Sequence, residues 1–391
     1  MTDPQSKTPH SDALWRRMVE TREIALSEDD VAALEAESAK SLTARKMLGM
    51  HYFKAGAYGK AAEHTQVVFE AEPNAETARN LMSARERAGD LDGAIAFAEA
   101  HAEVFDPIER ADRLCSIYVR QGKMDEGVTE GTRALELKDA LTGAVDRPDP
   151  IIRRFDPSKP GRNIITFSLF GDDPRYLRGA HHNAVVTRYL YPGWTPRFYV
   201  DDSVPMAVCQ ALIREGAQVR KAPKLPAHTY GLFWRFLVED DPEVDLYLVR
   251  DADSVMNIRE RAAVEDWLAS GAPYHVMRDY PSHSELILAG MWGAHRGNLE
   301  PMGKRILAYV KGSATRLNDR VCDQRFLRDE IWPLIRRDAL VHDSWFQFGK
   351  TQKFREEFAL PWPMHVGQND WVRFRPTEQA APAVRSADAP E

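Results

Sequence analysis

The pattern of hydrophobic and polar positions changes once along the chain, near residue 160. Between residues 12 and 140 the sequence is rich in Ala, Glu, Arg and Leu and nearly lacks runs of β-branched residues, which favours helices. Beyond Gly161, short apolar runs alternate with longer amphipathic stretches. This alternation predicts a mainly parallel sheet with helices on both faces. The chain is therefore predicted to contain an all-α part followed by an α/β part.

Apolar runs of strand length mark the α/β part, and turn or helix-start signals separate them. The predicted strands cover 163–170, 197–200, 217–220, 246–249 and 274–277, and the predicted helices between them cover 175–189, 204–215 and 232–239. The run at 246–249 differs from the others because two carboxylates, Asp251 and Asp253, follow it closely.

The all-α part contains an internal repeat. Gly56, Gly89 and Gly122 recur at intervals of 33 residues. Each glycine is followed two positions later by a large apolar residue and five positions later by a small one, giving the pairs Tyr58 and Ala61, Leu91 and Ala94, and Met124 and Gly127. This pattern resembles the tetratricopeptide repeat, a helix pair with a period of about 34 residues. The resemblance implies three repeats over 40–140 and a concave surface suited to a protein partner.

Composition shifts predict where the domains begin and end. Four prolines between residues 146 and 160 interrupt regular structure and indicate a linker. The end of the chain is rich in Ala, Pro, Ser and acidic residues, a composition typical of disorder. The predicted organisation is a helical domain at 1–145, a linker at 146–161, an α/β domain at 162–375 and a disordered tail at 376–391.

Charge and cysteine content exclude several classes of protein. The net charge of −7 and the absence of a long Lys/Arg block argue against a nucleic-acid binder. Three scattered cysteines favour neither a disulfide framework nor a zinc site, and they suit a reducing compartment. Neither a secretory signal nor a run of 18 apolar residues is present. The sequence thus predicts a cytoplasmic protein without a membrane span.

Asp251 and Asp253 are the strongest candidates for chemistry. In an extended chain, residues i and i+2 point to the same side, and ligands of open α/β sheets bind at the carboxyl ends of the strands. Two neighbouring carboxylates repel each other unless a cation lies between them, and hard oxygen ligands suit Mg²⁺ or Mn²⁺. We therefore predict a metal site that binds a phosphate-bearing substrate, with Arg250 adding positive charge at the same edge. The alternative is a strand that ends in solvated acids.

Several nucleotide-binding and hydrolase motifs are missing. The chain has no G-x-G-x-x-G after its first predicted strand, no P-loop and no G-x-S-x-G elbow. The order of strands and helices, with a D-x-D at a strand end, resembles the GT-A-fold glycosyltransferases over residues 162–372. Among them it is most similar to the glycogenin-like and lipopolysaccharide galactosyltransferase-like members. This resemblance implies a divalent metal on the D-x-D and a nucleotide-diphosphate sugar, most simply a UDP-sugar, as donor.

The same resemblance covers further positions. Arg235 precedes the D-x-D strand, where those enzymes tend to place a basic residue, and 288–293 resembles their small-residue strand on the acceptor side. Asp323 and Gln324 resemble a downstream Asp-Gln pair, and at the start of the next predicted helix they either contact the sugar or cap the helix. His365 resembles a C-terminal histidine that supplies a third metal ligand.

Two more groups of residues are candidates from position alone. Asp172, Arg175, Tyr176 and Arg178 follow the first strand, and Asp201 ends the second. These side chains suit base, ribose or phosphate contacts, or else they serve as helix caps, turn acids and solvated helix positions. The segment after the strand at 274–277 is dense in titratable groups beside an apolar run, as in an acceptor pocket. Its candidate general bases are Asp279, His283 and Glu285.

The hypothesis from the sequence is a divalent-metal-dependent glycosyltransferase of the hexosyltransferase type, with repeats that dock a partner or the acceptor. The acceptor, whether glycan, lipid-linked or protein, and the stereochemical course are not specified. A haloacid-dehalogenase-type phosphatase is an alternative in which Asp251 is the nucleophile, but that family carries its motif on the first core strand. A sugar-nucleotide-forming nucleotidyltransferase would need a Gly-rich loop after strand one. A scaffold with an inactive transferase-like domain is the non-enzymatic alternative.

Overall fold

The computed structural model describes residues 10–21, 26–143, 145–146, 148–223, 228–312 and 321–369. The predicted tail at 376–391 lies outside the described residues. The chain divides into two compact units, Met1–Glu130 and Gly131–Glu391. No helix in the described ranges is both long and apolar enough to cross a membrane.

The first unit is built from helices. They are α1 His10–Thr21, α2 Glu28–Glu37, α3 Leu42–Lys54, α4 Tyr58–Ala71, α5 Ala75–Ala88, α6 Leu91–Ala100, α7 Pro107–Arg120 and α8 Met124–Ala140, with a short 3-10 helix at Ala102–Val104. The last turns of α8 belong to the second unit. From α3 onward the helices form three consecutive pairs, which confirms the predicted helical repeat.

The glycines that define the repeat end the first helix of each pair. Gly56, Gly89 and Gly122 have φ of 79°, 83° and 76°, the left-handed conformation that glycine adopts without steric cost. The second helices then begin at Tyr58, Leu91 and Met124, as the pattern predicts. A side chain at Gly127 would lie 2.8 Å from Val119 Cγ2, so the small residue at this register allows close helix packing.

Two apolar clusters hold the first unit together. Phe69, Phe97 and Phe105 pack edge to face, with ring centroids 4.8 Å and 5.9 Å apart, in a cluster that also includes Leu114 of α7. Leu14 of α1 and Leu34 of α2 pack against α3, so the two helices that precede the repeats contact the first of them. Such aromatic pairs add about 0.5–1.5 kcal/mol each beyond their buried area.

The second unit contains one eight-stranded sheet. Its strands are β1 Asn163–Leu169, β2 Thr195–Val200, β3 Gln218–Lys221, β4 Leu246–Val249, β5 Tyr274–Arg278, β6 Trp292–His295, β7 Ala339–Asp343 and β8 Thr351–Gln352. The order is β3-β2-β1-β4-β6-β5-β7-β8. Strand β6 is antiparallel to β4 and β5, and the other neighbours are parallel. The prediction of a mainly parallel sheet is confirmed.

Helices accompany the sheet. They are α9 Pro174–Leu190, α10 Met206–Arg214, α11 Ile258–Ser270, α12 Met302–Gly312, α13 Cys322–Phe326 and α14 Trp332–Ile335, with 3-10 helices at Pro160–Arg162, His228–Asp240 and Glu356–Phe358 and a π-helix at Leu327–Ile331. The buried core between sheet and helices includes Phe167, Phe198, Leu248 and Trp267.

One predicted α-helix has a different geometry. The segment predicted as a helix at 232–239 lies within the 3-10 helix His228–Asp240. The reason is local competition for its backbone groups. Arg235 N donates to Ser168 Oγ (3.0 Å), and Arg235 O accepts from Thr166 Oγ1 (3.0 Å), so side chains of β1 bind the backbone of this turn.

The proline-rich segment is irregular but bound to the second unit. Residues 148–159 contain neither helix nor strand. Ile151 N donates to Asn298 Oδ1 (2.7 Å) and Arg153 N to His295 Nδ1 (2.7 Å). By packing, the boundary between the compact units falls earlier, within α8. The prediction that residues 146–161 link the two domains is not tested by these contacts.

Candidate functional site

The order of the strands gives the sheet a topological switch point between β1 and β4. From β1 the chain proceeds to β2 and β3 on one side and then crosses to β4 on the other side of β1. Ligands of open α/β sheets bind at such a switch point, outside the carboxyl ends of the strands. Asp251 and Asp253 follow β4 at this edge, and the candidate residues Asp172, Arg175 and Tyr176 follow β1.

Helix α9 packs directly on the residues between Asp251 and Ser254, which we call the D-x-D turn. Asn183 is fully buried, and its Nδ2 donates to Ala252 O (3.2 Å) and Ser254 O (2.7 Å). A Cβ on Gly179, one helical turn earlier, would lie 2.7 Å from Asp253 Cα. Neither residue was a sequence candidate. Their i, i+4 spacing on one helix face was the available signal.

Gly290 makes room for the first carboxylate. A Cβ at this position would overlap Asp251 Oδ2 and lie 2.8 Å from Asp251 N. The stretch 288–293 was predicted as a small-residue strand, but regular pairing starts only at Trp292, opposite Val249. The sequence pattern therefore identified the segment 288–293 correctly as part of the site. In the structure, its Gly290 packs against Asp251 of the D-x-D turn.

Arg235 connects two acidic candidates. It is 4% exposed, and its Nη1 donates to Asp251 Oδ1 while its Nη2 donates to Asp323 Oδ2 (2.8 Å). Burial raises the pKa of Asp323 to about 6, although the Arg235 charge opposes the shift. The Asp251 side chain remains 43% exposed and is the more accessible of the two carboxylates. The structure thus brings together three predicted site residues.

Arg175 forms a second ion pair, with Asp253. Its Nη2 contacts Asp253 Oδ2, and its guanidinium also lies 5.2 Å from the centre of the Tyr176 ring. Burial, together with the charge on Asp251, raises the pKa of Asp253, and Arg175 opposes this shift. Burial and the charge on Asp253 likewise raise the pKa of Tyr176. The residues after β1 and the D-x-D turn therefore form one electrostatic cluster.

The other candidates near β1 and β2 are more peripheral. Asp172 and Arg178 are exposed. Asp201 accepts from Ser203 N (3.0 Å) and from Ser203 Oγ, and Ser203 Oγ in turn accepts from Gly171 N (2.6 Å). Asp201 thus organises the turn at the sheet edge, which is the structural alternative considered for it.

The prediction for Arg250 is wrong. This side chain is fully buried and forms its ion pair with Glu260 of α11. Its Nε donates to Glu260 Oε1 (2.7 Å), and its Nη1 donates to the backbone oxygens of Val249 (2.7 Å) and Trp292 (3.0 Å). Arg250 stabilises the core beneath the site.

Asp279 is also misassigned as a general base. Its carboxylate accepts from Arg259 Nε (3.0 Å) and Nη2 (3.1 Å), from Ser344 Oγ and from Val366 N (2.9 Å). Four donors within the fold therefore already occupy both oxygens of this carboxylate. Its role in the structure is to anchor the C-terminal segment 365–369.

The anchored segment lies beside the D-x-D turn. Val255 N donates to Gln368 O (2.8 Å), and Ser254 Oγ donates to Gly367 O (3.0 Å). His365 is thereby brought near His283, with ring centroids 5.1 Å apart. However, in the ranges that the structure describes, no three His, Cys, Asp or Glu side chains are grouped so that they could hold a metal ion. The predicted three-ligand set with His365 is not assembled here.

Neither His283 nor Glu285 has the environment expected of a general base. Burial lowers the pKa of His283 to about 3, so this imidazole is neutral and weakly basic near pH 7. Glu285 Oε1 accepts from Lys138 Nζ (2.8 Å), which also donates to Ser284 O (2.8 Å). Lys138 is 1% exposed and comes from the last turn of α8. The sequence offered no signal for this contact.

Gln324 stays near Asp323, as predicted. Its backbone N donates to Asp323 Oδ1 (2.9 Å), and its Oε1 is buried without a hydrogen-bond partner in the described part of the chain. A buried amide oxygen of this kind can accept from a ligand hydroxyl.

An apolar cavity is lined by residues other than these polar groups. It has a volume of about 330 Å³ and an apolar lining contributed mainly by the 3-10 helix His228–Asp240 and by α12. The converging carboxylates and guanidinium groups make the D-x-D turn the better candidate for chemistry.

Comparisons with known proteins do not assign a family. No family model matches the chain, and no curated protein matches it. One similar solved structure is MamA MSR-1 C2, with 20% identity over 36% of this chain and 82% of that chain, and a TM-score of 0.30. Another is a mutant O-GlcNAc transferase of Thermobaculum terrenum, with 18% identity over 64% of this chain and a TM-score of 0.36. The present chain covers 47% of that transferase chain.

Proposed function

We propose that this protein is a glycosyltransferase that binds a nucleotide-diphosphate sugar at the D-x-D turn and transfers the sugar to an acceptor. The observation that carries the proposal is the position of Asp251 and Asp253. They stand at the switch point of the sheet, each beside a buried or half-buried arginine. The mainly parallel sheet with the D-x-D at the end of β4 is consistent with the GT-A resemblance.

The two carboxylates suit a divalent cation that is completed by the substrate. Mg²⁺ commonly uses one or two protein carboxylates together with phosphate oxygens and water, so a third protein ligand is not required. The raised pKa of Asp253 reflects burial and repulsion by Asp251, which a cation would relieve. When bound, the ion would neutralise the diphosphate leaving group. Asp251 and Asp253 would hold it.

The remaining residues divide between donor and acceptor. Arg175 and Tyr176 line the β1 side of the crevice and would contact the nucleotide, and UDP is the nucleotide to test first. Gln324 would accept from a sugar hydroxyl through its Oε1. Asp323 is 3% exposed, and its two oxygens accept from Arg235 Nη2 and from Gln324 N, so it would position Arg235 beside Asp251 rather than take the acceptor proton.

The repeats of the first unit would supply a docking surface for the acceptor or for a protein partner, as helical repeats do elsewhere. They carry no chemistry of their own, so the transfer reaction is assigned to the second unit alone.

The test is a donor screen. UDP- and GDP-sugars are incubated with the protein and Mn²⁺, and released nucleotide and the melting temperature are measured. A ligand that binds only the folded state raises the melting temperature by mass action. Asp251→Asn and Asp253→Asn should abolish the nucleotide-dependent shift.

The matched control is Asp202→Asn, an exposed aspartate at the same sheet edge that pairs with Lys221 (2.7 Å). It should leave the shift unchanged. Equal shifts with and without metal would contradict the metal role. Release of phosphate from phosphomonoesters, with an aspartyl-phosphate on Asp251, would replace the proposal with the phosphatase alternative.

A further inference from the structure

The two arginines at the D-x-D turn are held very differently. Arg235 is 4% exposed and donates to Asp251, to Arg250 O (3.2 Å) and to Asp323 (2.8 Å). The side chain of Arg175 is 36% exposed, and its ion pair is with Asp253. Its Nε has no hydrogen-bond partner in the described ranges. Arg235 therefore keeps a carboxylate partner if Asp251 takes a new ligand, whereas Arg175 is released when Asp253 does.

We propose that Arg175 is an internal counter-ion that a divalent cation displaces from Asp253, and that the released guanidinium then binds the diphosphate of the donor. The proposal rests on the function proposed above and extends it to the order in which charges are exchanged. Arg175 would thus neutralise Asp253 before the cation binds and would contact the diphosphate afterwards.

Burial explains why Asp253 needs a counter-ion before the metal arrives. Its side chain is about 9% exposed, and Asp251 adds a second negative charge close by. An ionised carboxylate in such a place is costly unless it is paired. Arg175 supplies the positive charge. A cation bound by both carboxylates would replace that charge and remove the reason for the ion pair.

The position of Arg175 explains where its charge would go. Arg175 lies in the first turn of α9, and its backbone N donates to the capping residue Asp173 (2.9 Å). This turn follows β1 at the crevice, and the N-terminal end of a helix favours phosphate groups. Guanidinium groups bind phosphate in a bidentate manner, so a released Arg175 is suited to the diphosphate.

The experiment separates competition from simple structural support. Mn²⁺ is titrated by calorimetry into wild type and Arg175→Gln without nucleotide, and UDP is then titrated at saturating Mn²⁺. Removal of the competing charge should tighten Mn²⁺ binding about tenfold, equivalent to about 1.4 kcal/mol. Loss of the phosphate contact should weaken UDP binding about fivefold or more.

The matched control is Arg188→Gln on the same helix, where Arg188 pairs with Glu215 (2.8 Å) away from the D-x-D turn. It should change neither affinity. Arg175→Lys keeps the charge and should return the Mn²⁺ affinity to about the wild-type value, which covers the case in which the glutamine variant folds poorly. Mn²⁺ binding by Arg175→Gln that is no tighter than wild type, or UDP affinity that is unchanged, would overturn the proposal.

Failure of this proposal is distinguishable from failure of the proposed function. If the Mn²⁺ and UDP affinities change as expected but no donor sugar is transferred, the counter-ion role of Arg175 stands and the transferase assignment is wrong. If the protein transfers sugar but Arg175→Gln leaves the Mn²⁺ affinity unchanged, the transferase function stands and the counter-ion role is wrong.

Discussion

Replacing Glu239 with Gln should stabilise the second unit in a strongly pH-dependent way. Glu239 is fully buried near the end of the 3-10 helix His228–Asp240. Its Oε1 accepts from Gly297 N (3.0 Å) and Leu299 N (2.6 Å). Burial raises its pKa from 4.5 to about 7, although these two hydrogen bonds oppose the shift. Glutamine keeps the accepting oxygen and cannot ionise.

The direction of the pH dependence follows from the pKa values of Glu239 in the unfolded and the folded chain. Below pH 4.5 the carboxyl is protonated in both the folded and the unfolded chain, and its contribution to stability is fully present. As pH rises, the unfolded chain loses the proton first, and the folded chain must later bury a charge. Wild type therefore loses stability between pH 4.5 and about 7. A shift of this size corresponds to about 3 kcal/mol.

The assay is urea unfolding of wild type and Glu239→Gln at several pH values between about 4 and 8. The two proteins should have similar unfolding free energies at the acidic end, and the variant should be more stable by about 3 kcal/mol at the alkaline end. In a thermal melt this equals roughly 6–12 °C for a unit of this size. Other titrating groups are common to both proteins and cancel in the difference.

Glu243→Gln is the control, because Glu243 is exposed four residues further on. Substitution at this surface position should change the unfolding free energy by no more than about 0.5 kcal/mol. A constant difference between Glu239→Gln and wild type across the whole range would refute the reasoning, because it would show that the buried carboxyl does not titrate in this window.

Three further predictions concern packing. Lys138→Met removes the bonds to Ser284 O and Glu285, and it should lower the free energy of urea unfolding by about 2 kcal/mol, whereas Lys123→Met, at a half-exposed position, should change it little. Gly290→Ala places a methyl group on Asp251 and should weaken Mn²⁺–UDP binding about tenfold by calorimetry; unchanged affinity would contradict the packing argument. Gly89→Ala forces a left-handed backbone on alanine and should cost about 1 kcal/mol in thermal unfolding, whereas Gly59→Ala, in a helix with open space around it, should be neutral or stabilising.

Locally encoded features were predictable from the sequence. The glycines at 56, 89 and 122 end helices because only a residue without a side chain adopts that backbone easily, and the apolar runs form strands because their period is a local property. Strand β4 ends at Val249, so the position of Asp251 and Asp253 just beyond a strand end was also predictable.

Other parts of the site depend on which distant segments meet. Asn183 contacts the D-x-D turn about 70 residues away, and Lys138 contacts Glu285 across 147 positions. Asp279 resembles a base in the sequence, but Arg259 and Val366 bind its oxygens in the fold. The pKa of His283 is likewise set by burial and by His365. Such partners are chosen by sheet register and helix packing.

The sequence by itself determined the helical repeat, the mainly parallel sheet and the position of two carboxylates at the end of β4, because each follows from residues close together in the chain. Only the tertiary structure decided which arginine faces which carboxylate and which candidate bases are already occupied. Those outcomes depend on long-range packing, whose free energies are shared among many residues and leave no local signature in the chain.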